Sequence, residues 1–172
     1  MSRRLSQPTE ARQSYLRRKI RLLLAIFVFG LVVSGATSIP LETELSLLTR
    51  WVDADSACGA WLLRISDALV ETNAKYPFLA YGTDWLAFGH FAIAIAFLGP
   101  WRDPVKNLWV VEFGMIACVL VVPYAMVFGG IREIPIGWRL LDCSFGILGI
   151  VPLALARRSI RELGTIEANW RT

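Results

Sequence analysis

Four apolar runs, each about as long as a bilayer is thick, constrain this chain more than anything else in it. Residues 20–39, 78–98, 108–128 and 138–156 are dominated by Leu, Ile, Val, Phe, Ala and Gly, and about 20 such residues in helical geometry cross the hydrocarbon core. Inside lipid every backbone N–H and C=O needs a partner within the chain, so each run is expected to be a helix. The connections between the last three runs are short, which makes those helices antiparallel neighbours. The expected fold is therefore all-α: an integral membrane four-helix bundle within a single membrane domain over 20–156. The hydrophobic share of 55% and the mean hydropathy of +0.51 agree, since soluble domains run at roughly 45–50% with glycine included.

The flanks set the expected orientation. Residues 1–19 carry Arg3, Arg4, Arg12, Arg17, Arg18 and Lys19 and read as a basic cytoplasmic leader with nothing to bury; residues 157–172 read as a basic cytoplasmic tail. Ser34 and Ala36, small residues late in the first run, also fit a signal-peptide cleavage site, but retention of the run as a span is the expectation. With both ends inside, 13 of the 18 Lys and Arg fall on the cytoplasmic side and 5 outside, the bias that sets orientation in membrane proteins. The segment 41–77 is then extracytoplasmic. It is too long for a hairpin loop, and within it Trp61, Leu62, Ile65 and Leu69 recur at helical spacing with Arg64, Asp67 and Glu71 between them. That pattern predicts an amphipathic helix capping the bundle at the membrane surface, with Trp51 and Trp61 as interfacial anchors.

Several function classes lose their footing. The basic residues flank apolar runs with no aromatic RNA-binding motif among them, so no nucleic-acid partner is expected. Cys58, Cys118 and Cys143 form no CxxC and no metal spacing, which argues against a disulfide framework, a metal site or thiol-redox chemistry. One histidine cannot supply two axial ligands to a haem, and no cofactor is expected.

Chemistry in a membrane protein is sought among the ionisable residues of its spans, because an unpaired charge near the bilayer centre costs at least ~2.5–3.5 kcal/mol. Asp84 lies about two turns into the second run, and Arg139 and Asp142 lie in the first turns of the fourth. By rise per residue the three fall at similar depth in the outer leaflet. Arg139 and Asp142 are three apart, so they share a helix face and can pair; Gly146 and Gly149 continue that face as a groove. One reading is an outward-opening polar site in which Arg139 grips an anionic head group and an aspartate orients it. The other is a clamp that only specifies packing. His90, near the midplane, is about 240° round the helix from Asp84, so it shares no stripe with it. A hydrogen bond to a neighbouring helix is favoured for His90 over a proton-relay role. Glu112 is expected to snorkel or to pair with Lys106 or Arg102, and Pro123 to bend the third span. Gly30 with Ser34, Ala92 with Ala96, and Gly114 with Cys118 have the four-residue spacing of close helix contacts.

The stretch YGTDWLAFGHF followed by GWRLLDCSFGILG resembles small bacterial membrane proteins and, more distantly, is similar to the VanZ-like family. That family combines an Asp and a His near the start of one span with an Arg, an Asp and glycines in a later one. The resemblance answers the first motif with Asp84 and His90 and the second with Arg139, Asp142 and Gly149. It implies a small helical domain of the bacterial inner membrane with an envelope-linked role. Here the interval from Asp to His is longer than the family's, and Gly146 stands where an Asn is usual. The candidate ligand-binding residues are thus Asp84, His90, Arg139 and Asp142, with no catalytic residue expected. The expected partners are membrane lipids, and also partner chains of a membrane complex or a second copy. The competing reading is a non-catalytic structural or accessory subunit. A transporter is disfavoured, because four spans without an internal repeat offer no alternating halves.

Overall fold

The computed structural model describes residues 3–169, with side chains from Thr9 onward. Its helices are α1 (Arg3–Thr37), α2 (Leu41–Leu48), α3 (Ala57–Lys75), α4 (Tyr81–Ala96), α5 (Leu98–Arg102), α6 (Leu108–Ile131) and α7 (Ile136–Asn169), with a 3-10 turn at Pro77–Ala80 leading into α4. Among the described residues there is no strand. Among the described residues four stretches are long and apolar enough to cross a membrane: Thr9–Thr37, Pro77–Arg102, Leu108–Ile131 and Ile136–Asn169. Large apolar side chains such as Phe29, Phe88, Trp109, Ile116 and Leu148 stand exposed along them. In water such a surface would be sticky; in lipid it is the solvated face. The architecture is that of a helical, multi-pass membrane protein. The chain separates into two compact units, one built from residues up to 30 and from 95 on, the other from residues 31–94.

The first unit shows that neither terminal segment is merely a polar flank. The leader has apolar surface to bury after all: α1 is one helix of 35 residues, about 50 Å long at 1.5 Å per residue. Leu16 is 1% exposed, and Ile20 and Leu24 are fully buried. They lie four residues apart, so the apolar stripe of the span runs back into the basic segment while the arginines occupy other faces. The tail is also helix. In α7 the stripe Leu153, Ala156, Ile160 and Leu163 is buried, and Ser159 bonds the Leu155 carbonyl at 3.0 Å. Arg12 pairs with Glu162 at 2.6 Å and Arg17 with Glu167 at 2.5 Å, joining two segments from opposite ends of the chain.

Helix α4 ends at Ala96. The chain bends at Phe97 and continues as α5, with Pro100 in its first turn, where a missing N–H costs nothing. Phe97 is buried at the centre of the first unit, its ring 4.9 Å from that of Phe27 and against the bare Cα of Gly114. The turn that follows is tied by Asn107, whose Nδ2 donates to the carbonyls of Gly99 and Asp103. Lys106 holds the Asp103 carboxyl below its ordinary range, first through its backbone N–H and then through its ammonium.

Helices α6 and α7 form the closest pair of the unit. A Cβ at Gly146 would overlap the Cys118 carbonyl oxygen, so the two backbones meet where only glycine fits. Gly149 lies against the Cys118 thiol, which makes the glycine face of α7 a helix contact. At the tip of the hairpin α6 ends in a Schellman motif: Ile134 N–H bonds the Gly129 carbonyl at 2.8 Å and Glu133 N–H the Gly130 carbonyl at 3.2 Å. Glu133 takes the left-handed conformation there, with φ 57°.

In the second unit, the segment 41–77 is helical as its periodicity predicts, but as two helices. Helix α2 escapes the sequence reading, because its 8 residues give too short a pattern to recognise. Ser56 caps α3, its Oγ accepting from Gly59 N–H at 3.0 Å. Leu62 is buried and Arg64, Asp67 and Glu71 are exposed, which is the orientation the pattern requires. Leu45 of α2 is buried too.

Candidate functional site

The four residues singled out from sequence divide between the two units. Arg139 and Asp142 stand on α7 in the first; Asp84 and His90 stand on α4 in the second.

Arg139 does not pair with Asp142. Its Nε donates to the Ile134 carbonyl at 2.6 Å, so the side chain turns back toward the hairpin tip, in the direction that helical side chains favour. There it lies over Gly129 and Gly130: a Cβ at Gly129 would come within 2.8 Å of the Arg139 Cγ, and one at Gly130 within 3.3 Å of a terminal nitrogen. Two adjacent glycines thus leave the trough that the arginine fills. One of its five N–H donors is spent, and among the described residues no carboxylate meets the rest. Asp142, one turn further on, is exposed on the flank of α7 and makes no side-chain bond among the described residues.

Asp84 lies in the first turn of α4, exposed and likewise without a side-chain partner among the described residues. His90 is bonded at both ring nitrogens. Nδ1 is 2.8 Å from the Leu86 carbonyl, which can only accept, so Nδ1 donates there, and Nε2 lies 3.4 Å from the Ser34 hydroxyl. Gly35 permits the approach, since a Cβ there would be 2.9 Å from that of His90. His90 is thus an interhelical contact between α4 and the end of α1, one of the two roles its position allows.

Glu112 is a correction. It pairs with neither Lys106 nor Arg102; it accepts from Arg157 at 2.8 Å and Arg161 at 3.2 Å. Those arginines lie in the segment that sequence alone presents as a basic tail, and the long-range pair becomes visible only because α7 continues to Asn169.

Sequence reasoning misses a cavity altogether. In the second unit a space of about 440 Å³ opens between the start of α2, the last half of α3 and the turn into α4. Leu69 and Leu79 give it apolar walls, and Glu42, Thr72, Asn73 and Thr83 give it polar ones. Glu42 accepts from Asn73 Nδ2 at 2.7 Å across it. These residues come from separate elements, and no local spacing could have announced them. Among the described residues no group of three His, Cys, Asp or Glu side chains could hold a metal ion. No family model, curated protein or solved structure matches the chain.

Proposed function

We propose that the chain is a multi-pass protein of the bacterial inner membrane, with both ends in the cytoplasm, that binds an anionic envelope lipid through Arg139. One observation carries the reading. The Arg139 guanidinium is held in place by a backbone carbonyl and a glycine trough, and among the described residues no acid meets it, so its positive charge is positioned yet unneutralised there. A guanidinium fixed this way offers a parallel pair of N–H donors to phosphate, the geometry in which arginine binds best. The positive-inside count supports the tip of the α6–α7 hairpin facing outward, where lipid head groups lie. The resemblance of GWRLLDCSFGILG to the VanZ-like pattern supports an envelope role for the same residues. Arg139 acts as a binding residue here, and no catalytic step is assigned to it.

The test is native mass spectrometry of the full chain taken from nanodiscs of phosphatidylcholine and phosphatidylglycerol. The wild type is expected to retain phosphatidylglycerol, and Arg139→Gln to lose it about tenfold or more, as fits the ~1.5–3 kcal/mol of a charged hydrogen bond. Gly129→Ala keeps the charge but fills the trough, so it separates positioning from charge and should lose part of the retention. Equal lipid retention in all three proteins would sink the reading.

A second reading is favoured by a different observation. Asp84 and Asp142 stand exposed and unpartnered, among the described residues, beside exposed apolar side chains such as Trp85, Leu86, Leu140 and Leu141, a setting in which a bare carboxylate is unfavourable in lipid. A partner chain or a second copy that covers them makes this an accessory subunit of a membrane complex. The same spectra distinguish it: a stoichiometric second chain, with no lipid dependence on Arg139, selects this reading.

A further inference from the structure

We propose that the cavity of the second unit is a binding site for a small organic cation, an ammonium group carried on an apolar body. The inference is independent of the Arg139 reading and concerns a different unit.

The chemistry of the wall decides the ligand. The Glu42 carboxylate can only accept, so the amide facing it at 2.7 Å must present Nδ2. That orientation turns the Asn73 Oδ1 away from Glu42 as a second acceptor. Among the described residues the other Glu42 oxygen has no hydrogen-bond partner. Thr83 has already donated its proton to the Ala80 carbonyl at 2.7 Å, so its oxygen too is left as an acceptor. None of the described residues lining the space is basic. The polar side of the cavity thus carries several acceptor oxygens and, on the exposed Glu42, its one formal charge, which favours a ligand that brings donors and positive charge. The Glu42 charge disfavours an anionic head group. Leu69, one turn before Asn73 on α3, and Leu79 ask for apolar bulk. A volume of about 440 Å³ lies within the ~300–1,000 Å³ of small-molecule sites.

The surroundings reinforce the sign. Segment 41–77 holds six acids, Glu42, Glu44, Asp53, Asp55, Asp67 and Glu71, against three bases, Arg50, Arg64 and Lys75. Its field draws cations toward the mouth. The scaffold is also firm: Ser56 caps α3, and Gly59 takes the loop so closely that a Cβ would meet the Asp53 carbonyl. The wall from Leu69 to Asn73 is thereby carried on an anchored helix.

The test titrates the full chain, in nanodiscs of phosphatidylcholine, with phenethylammonium, the neutral 2-phenylethanol and the anionic 3-phenylpropanoate, subtracting empty nanodiscs. Saturable binding of the ammonium is expected at about 1 mM or tighter, with the alcohol at least tenfold weaker and the carboxylate not bound. Glu42→Gln removes the charge while its amide oxygen can still accept from Asn73. It should weaken the ammonium at least tenfold and leave the alcohol unchanged. Leu69→Phe fills the cavity and should abolish binding of both; if that protein does not fold, the Glu42→Gln comparison alone decides. Absence of saturable binding, equal affinity for ammonium and alcohol, or an unaltered affinity in Glu42→Gln each overturns the proposal.

Discussion

Glu112 and Asp142 are carboxylates on adjoining apolar helices of one unit, and their circumstances are opposite. Glu112 meets two arginines of α7, from the same stretch of helix that buries Leu153, Ala156, Ile160 and Leu163. Asp142 stands among the exposed Leu140, Leu141 and Phe145, with no side-chain partner among the described residues. The basic end of the unit is closed by contacts within the chain: buried leucines from both α1 and α7, and acids matched to arginines. The hairpin-tip end is thin, joined by glycines and fixed by backbone bonds, with Arg139 positioned but unneutralised. A chain that satisfies one end internally and leaves the other open has its stability at the first. The second is where the proposed recognition of a lipid head group by Arg139 would take place.

Three measurements test that contrast. The largest effect belongs to Gly146→Val, whose Cβ would overlap the Cys118 carbonyl oxygen. Backbone cannot retreat as a side-chain tip can, so the α6–α7 pair must part. The expected loss exceeds about 4 kcal/mol, read as failure to purify as a monodisperse species. Full stability in this variant means that the hairpin is not packed as described.

Next comes Leu163→Ala at the basic end. A fully buried leucine truncated in a packed core costs about 2–5 kcal/mol, visible as a lowered Tm in detergent. An unchanged Tm removes the basic end as the seat of stability and collapses the contrast. The smallest effect is the comparison of the two acids themselves. Glu112→Gln leaves two arginines without their anion and should lower Tm, by less than Leu163→Ala because the pair is partly exposed. Asp142→Asn loses no partner and should leave the Tm of the isolated chain unchanged or raised. A fall for Asp142→Asn as large as that for Glu112→Gln means that the purified species already contains whatever covers it.

The spans and the helical character of 41–77 are legible in the sequence because both rest on local periodicity. Twenty or so apolar residues have one way to satisfy their backbone in lipid, and Leu62, Ile65 and Leu69 repeat at roughly 3.6-residue spacing whatever they pack against. The ends are illegible for the complementary reason. Leu16 among arginines looks like one apolar residue in a polar leader, and its burial depends on neighbours that the local pattern does not name. Arg157 and Arg161 give a signal of topology, and their bond to Glu112 requires knowing that α7 runs on. A pairing of Arg139 with Asp142 is a fair inference from a spacing of three, but side chains lean toward the helix N-terminus. The Ile134 carbonyl and the glycine trough lie in that direction.

What the amino-acid order determined by itself is the class of molecule: helices long and apolar enough to cross a bilayer, with charges gathered at their ends. Solvent imposes that choice, and solvent acts on each segment separately. Which charges are satisfied and which are left open was set by packing between elements. Pairing Glu112 with Arg157, setting Arg139 on Gly129, and facing Glu42 toward Asn73 all depend on contacts between separate elements, and no local pattern encodes a distance between elements.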